Sequence, residues 1–255
     1  MTHSLGGGTG SGVGTYVLGL LEDLYPGIYR FSACVMPAED DDVVTSPYNS
    51  VLATAELIKH AHCVFPIDNK ALQSFAELEA AQASKRAELR RGHRNPLGAP
   101  ADESRKDRGF DAMNGVAARM LCHLTGSSRF HGDMNVDMNE IYTNLVPFPR
   151  VHFLMTAISP QRATAADSGK LRYGASSSNV NATSSTTKGV IQRSFADILS
   201  RAGQLTGADP SLANSVMISS AFITRGSLRL SDFIGCVTAA QRNTFRYVPH
   251  SQEES

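Results

Sequence analysis

Short apolar runs and longer amphipathic ones alternate along this chain. The compact runs read as strands: Arg30–Met36, Cys63–Ile67, Val151–Ile158, Val216–Ile223 and Thr244–Val248. Between them lie helical stretches. Val13–Leu24 follows a glycine run, and Pro47–Ala61 carries apolar residues at Val51, Leu52, Ala55, Leu57 and Ile58. The clearest period lies in Phe110–Leu124, where Met113, Val116, Ala117, Met120, Leu121 and Leu124 recur at helical spacing. Such a helix buries a broad face and is expected to form a spine between two halves. Strands alternating with helices predict an α/β fold whose mostly parallel sheet is covered on both faces.

Two segments depart from this pattern. Residues 79–109 begin as a helical run and become polar, with eight Lys/Arg against four Asp/Glu between Lys85 and Arg108. The stretch 163–189 is dominated by Ser, Thr, Ala, Gly and Asn; it cannot bury enough apolar surface to offset its ordering entropy and is read as a flexible loop.

Composition narrows the function classes. The 255 residues are 42% hydrophobic, as in a globular protein, and 24 basic side chains balance 24 acidic ones. No global field therefore draws the chain to nucleic acid or membrane. Cys34, Cys63, Cys122 and Cys236 are scattered singly, which suits buried thiols in a reducing, cytoplasmic setting better than a disulfide frame or zinc site. His60, His62 and Cys63 look ligand-like but span a helix end and a strand start, so no metal site is assigned.

Candidate chemistry starts in SLGGGTGSGVGT, where five glycines fall within residues 4–12. Glycines that run straight into a helix suit phosphate: backbone N–H groups converge, and the helix N-terminus adds its unpaired donors and positive end. Neither common phosphate motif fits. No Lys follows the glycines, and no triplet has the dinucleotide-binding spacing. A turn without ligand is the plain alternative.

GGGTGSG followed by Gly14-Thr15 resembles the signature loop of tubulins. Ser46–Leu72 (SPYNSVLATAELIKHAHCVFPIDNKAL), Phe110–Leu121 (FDAMNGVAARML), Asn135–Met155 (NVDMNEIYTNLVPFPRVHFLM) and Val216–Gly226 (VMISSAFITRG) resemble later tubulin segments in the right order. Within the family, IDNKAL, FDAMN and MNEIYTNLVPFPRVHFLM look most like the epsilon branch, with the delta branch next. The resemblance implies a partial Rossmann-like GTPase domain, a central helix and a smaller α/β second domain with a mixed sheet. The expected division is 1–109 for the later part of the GTP-binding domain, 110–132 for the central helix and 133–255 for the second domain. Tubulins place further strands and phosphate loops ahead of the glycine run and helices after the last strand. The sequence is therefore expected to be truncated at both ends, to bind nucleotide weakly and to be prone to aggregate.

The same resemblance implies GTP/GDP and Mg²⁺ as cofactors, with the metal's ligands largely elsewhere. Gly7, Gly8, Thr9, Gly10 and Ser11 would contact phosphates through backbone and hydroxyl donors, Gly8–Gly10 facing the α- to γ-phosphates. Asn69, Phe110 and Asn114 would read and stack the base. Phe110 stands where the family usually has Tyr, and each of the three also has an ordinary reading, as a turn or core residue. Glu39–Asn49 resembles the segment approaching the ribose, with Thr45 and Ser46 where the family commonly has an acid; Asp40–Asp42 read as a solvated turn. Glu140 is the catalytic candidate. With Asp137 it is placed on one side of a helix starting near Asn135, where α-type chains use a Glu to orient water in the next subunit's GTP site. The alternative is that both acids merely complement the helix dipole.

The implied partners are other tubulins and centriole or basal-body proteins, without nucleic acid or membrane; the implied place is the microtubule cytoskeleton. A GTPase coupled to head-to-tail assembly, a non-hydrolysing structural component and a truncated product without activity of its own stay open as readings. The basic insertion reads as a solvated excursion, or as a surface that touches acidic tubulin.

Overall fold

The computed structural model describes residues 1–38, 43–91, 110–132, 135–159, 205–206, 218–224 and 230–243. Its frame is a parallel sheet of β1 (Thr2–Ser4), β2 (Phe31–Met36) and β3 (Cys63–Asp68), in the order β1-β2-β3. The register pairs His3 with Cys34 and runs from Phe31 opposite Cys63 to Met36 opposite Asp68. A π-helical turn, Thr9–Val13, leads into α1 (Gly14–Leu24), and α2 (Ser46–His60) joins β2 to β3. Because the sheet grows in one direction, both crossover helices fall on one face. There Leu5, Leu18, Cys34, Ala53, Leu57 and Val64 form one core.

The opposite face carries α3 (Asn69–Arg91) and α4 (Asp111–Leu124). Cys63, Phe65 and Ile67 of β3 point that way, against Leu72 and Phe75 of α3 and Met113, Val116 and Met120 of α4. Alternate residues of β3 thus serve two cores, which is why the strand reads as an unbroken apolar run. Arg119 of α4 reaches Glu79 at 2.7 Å and lies over the Phe75 ring, tying α4 to α3.

After the short turn α5 (Gly126–Arg129) comes α6 (Met138–Leu145). It starts three residues later than Asn135. Asp137 is its N-cap, with an extended backbone and a side chain that accepts the Met138 N–H at 2.6 Å. A carboxylate bonded to an orphan N–H of the first turn fixes the helix start there.

Val151–Ile158 runs alongside β3. Val64 donates to the His152 carbonyl, Leu154 donates to the Val64 carbonyl, and one parallel bridge joins Val64 to Phe153. Leu205 is inserted farther along, accepting from Asp68 N–H and donating to the Thr156 carbonyl. Within Val216–Ile223 the described residues form no strand, while α7 (Leu230–Asn243) follows as a helix. Thr244–Val248, Asp40–Asp42, the loop 163–189 and the side chains of the basic segment lie outside the described residues.

The helices α1, α2 and α4 lie where the periodicity puts them, within one or two residues at their starts, whereas α3 begins at Asn69, ten residues before the helical run read from residue 79. No helix among the described residues is long and apolar enough to cross a membrane.

Candidate functional site

The glycine loop leaves the carboxyl end of β1, where Leu5 continues the ladder by donating to the Val35 carbonyl at 3.0 Å. Its carbonyls are held inward one after another. Gly6 O accepts from Asn49 Nδ2 of α2 at 3.0 Å. Gly7 O accepts from both the Ser11 N–H at 3.1 Å and the Ser11 hydroxyl at 2.6 Å, and Gly8 O lies 3.2 Å from that hydroxyl. Thr15 then binds the Ser11 carbonyl at 2.5 Å.

A trans peptide unit points its N–H opposite to the carbonyl it shares. Holding the carbonyls of Gly6, Gly7 and Gly8 therefore aims the N–H groups of Gly7, Gly8 and Thr9 the other way, out of the helix N-terminus. Both Ser11 donors are engaged inside the loop, the N–H on the Gly7 carbonyl and the hydroxyl on the Gly7 and Gly8 carbonyls.

The glycines differ in why they lack side chains. A Cβ on Gly10 would stand 2.2 Å from the Ser4 carbonyl oxygen, so β1 itself demands glycine there. Gly7, Gly8 and Gly12 have nothing within 4 Å of such a Cβ. At Gly7 and Gly8 a side chain would enter open space, so packing within the chain does not demand glycine there. No Lys or Arg occurs in residues 1–27, so the loop's own segment offers backbone dipoles and no cationic side chain. His3 lies beneath it, near the Ser4 and Gly10 backbone; burial holds its imidazole below the ordinary pKa.

Asn69 opens α3 directly after β3, at the same carboxyl edge as the glycine loop and two strands away, about 10 Å at ordinary strand spacing. Asp68 beside it accepts the Lys70 N–H at 3.1 Å and starts the helix. Phe110 caps α4 and is 66% exposed, so it is not a core aromatic; Asn114, one turn on, is exposed on the same side. Of the two hydroxyls at the acid position, Ser46 is buried at 1% exposure and Thr45 is exposed.

Glu140 lies elsewhere. Tyr142 of α6 packs on Tyr29 and His62, with ring centroids 5.1 and 5.4 Å apart. Tyr29 immediately precedes β2 and His62 precedes β3, so α6 sits at the amino edge of the sheet. Six-residue strands separate that edge from the glycine loop by about 17 Å. Glu140 is exposed in the first turn of α6, three residues past its cap.

The amino edge carries a network of charged side chains. Arg30 binds Glu22 of α1 at 3.0 Å and donates to the His60 carbonyl at the end of α2 at 2.7 Å. His60 also contacts Glu22 and Glu56, and its hydrogen bond is the main reason the Glu22 pKa is lowered. His62 Nδ1 accepts the Arg30 backbone N–H at 3.1 Å. Burial first, then the Arg30 guanidinium, hold its pKa below the ordinary value. Cys63 is fully buried, its thiol pushed up to about 12 by burial. His60, His62 and Cys63 thus have separate surroundings. All four cysteines are free.

Asn49 was not legible as a site residue. The P-Y-N sequence marks a helix start, and nothing in it reveals that the third residue reaches a loop 43 positions earlier.

Residues 1–77 match the Tubulin/FtsZ family, GTPase domain. The chain is 39% identical to the mouse (Mus musculus) tubulin epsilon chain over 90% of its own length and 45% of that protein. It is 37% identical to the human (Homo sapiens) tubulin epsilon chain over 98% of its length and 48% of that protein. With the alpha-3 chain of Saccharomyces cerevisiae it shares 39% identity over 62% of its length and 31% of that protein. The chain thus spans just under half the length of the epsilon chains it matches. A glycine loop opening a helix at the carboxyl edge of a parallel sheet, an Asn at the end of β3 and these matches agree: the chain is a member of the tubulin family.

Proposed function

We propose that this chain is an epsilon-like tubulin that binds a guanine nucleotide at the carboxyl edge of its sheet and completes a neighbour's site from the amino edge. The N–H groups of Gly7, Gly8 and Thr9 would take the phosphates, with Gly10 allowing the loop to approach β1. Asn69, Phe110 and Asn114 would hold the base. Mg²⁺ would arrive with the triphosphate and neutralise its charge; among the described residues there is no cluster of three or more His, Cys, Asp or Glu to hold it alone.

One observation carries the trans arrangement: the glycine loop and the Glu140 helix occupy opposite ends of the same strands. Glu140 is too far from its own loop to touch a phosphate there. Stacked head to tail, one subunit's Glu140 would face the next subunit's triphosphate and orient water. Such a contact is heterologous and builds filaments. The partners are then other tubulins, and the setting is the microtubules of centrioles or basal bodies.

The test is phosphate release from GTP as protein concentration rises. Wild type should release phosphate faster per subunit as subunits stack. Glu140→Ala should lose about 10²–10⁴-fold of that rate while binding GTP as before. Release from Glu140→Ala equal to wild type would remove Glu140 from the reaction. Wild-type release that does not rise as subunits stack would leave the second reading, a structural subunit with a static nucleotide. The capping sequence favours that reading: Asp137 caps α6, and Glu140 sits where an acid complements the helix dipole.

A further inference from the structure

We propose that Asn49 is a positioning residue for the phosphate loop, fixing the direction of the Gly7 N–H by holding the Gly6 carbonyl. This rests on the reading of Gly7, Gly8 and Thr9 as phosphate donors.

Three inward bonds set the three outward N–H groups, and they differ in origin. Those at Gly7 and Gly8 come from Ser11, inside the loop itself. The bond at Gly6 comes from α2, 43 residues away. Gly6 is buried, and Asn49 Nδ2 lies 3.0 Å from its carbonyl oxygen. Rotation of the Gly6–Gly7 peptide would turn the Gly7 N–H, and the carboxamide of Asn49 opposes that rotation by holding the Gly6 carbonyl.

Asn49 is itself held in the first turns of α2. Its backbone N–H donates to the Thr45 carbonyl at 3.0 Å, and Ser50 clamps the Ser46 carbonyl at 2.8 Å. Ser46 N–H in turn binds Val43 O at 3.0 Å. The start of α2 is therefore rigid, and Asn49 transmits that rigidity to the first phosphate donor. It also couples the two: a change in the segment before α2 reaches the phosphate loop through one amide.

The experiment is titration of the full chain with inorganic pyrophosphate, followed through the backbone amide resonances of Gly7, Gly8 and Thr9, with guanosine as a phosphate-free control. Asn49→Asp keeps the shape but offers the Gly6 carbonyl an acceptor instead of a donor. It should weaken pyrophosphate binding about tenfold, the scale of one lost hydrogen bond between fixed groups. The largest change in the free-state spectrum should fall on Gly7. Asn49→Gln retains a donor and should recover part of the affinity; guanosine binding should be unchanged in both. Should Asn49→Asp not fold, Asn49→Ala carries the same comparison. Pyrophosphate affinity equal to wild type in a folded variant lacking the donor overturns the inference. Failure of wild type to show pyrophosphate shifts at Gly7–Thr9 overturns the phosphate-loop reading instead.

Discussion

The two ends of this sheet are built from different materials. Around the glycine loop at the carboxyl edge, neutral groups hold neutral groups: Asn49 on Gly6, Ser11 on Gly7 and Gly8, Thr15 on Ser11. At the amino edge, Arg30 gathers Glu22 and the end of α2, and three rings clamp α6 to the strands. A phosphate loop needs donors that stay aimed without a charge of their own, and backbone N–H groups held from behind supply this. On the proposed reading, α6 would present a carboxylate to another molecule and would need attachment without crowding of its exposed first turn. The aromatic contact at Tyr142, two residues past Glu140, provides it.

The largest expected effect lies at the amino edge. Arg30 is 9% exposed and joins α1, α2 and the start of β2. Arg30→Ala should lower unfolding free energy by about 2–3 kcal/mol, the range for hydrogen bonds to charged groups, measured by urea denaturation. A loss under about 0.5 kcal/mol would place that network among surface pairs of little consequence.

Next comes a contrast within the glycine loop. Gly10→Ala drives a methyl into the Ser4 carbonyl and should cost roughly 1–3 kcal/mol. Gly8→Ala adds its methyl to open space and should change stability by no more than about 0.5 kcal/mol while weakening nucleotide binding. Equal destabilisation by both would mean that the loop's glycines serve packing alone.

A smaller effect should appear with pH. His62 is kept neutral chiefly by burial, and Nδ1 is already occupied by the Arg30 N–H. The unfolded chain takes up that proton first, so the contribution is whole above the ordinary histidine pKa of about 6.5 and erodes as pH falls below it. His3, beneath the glycine loop and also lowered by burial, has the same sign. Melting temperature should therefore fall on acidification from neutrality. His62→Phe should flatten that slope; a slope unchanged in the variant would assign it to other groups. Glu22, lowered by its bond to His60, adds a further loss only at more acid pH, below the ordinary carboxylate range.

How far the residues alone disclose this arrangement varies by element. Helix α4 stands out because it obeys one period, and strand β3 because its apolar run is unbroken, both its faces being buried. The strand β1 is only three residues long and carries no period to detect. For α6, a start near Asn135 is too early, although Asp137 and Glu140 at cap spacing hold the correct signal. The glycine loop announces a phosphate site, but not which glycines face it. That division between Gly10 and Gly7 or Gly8 depends on how close β1 lies, which is a tertiary fact. Asn49 and Arg30 escape sequence reading for the same reason: each acts on residues about 30 to 40 positions away.

The most direct measurement mixes two disabled proteins. Gly8→Asp places a carboxylate in front of the phosphate donors, and Glu140→Ala removes the group at the far end. Neither variant alone should release phosphate from GTP. A mixture in which Gly8→Asp lends Glu140 to a neighbour with an intact loop should release it well above the sum of the two. If wild type hydrolyses GTP but the mixture is no faster than its parts, the loop and Glu140 do not meet between molecules, and the account is contradicted.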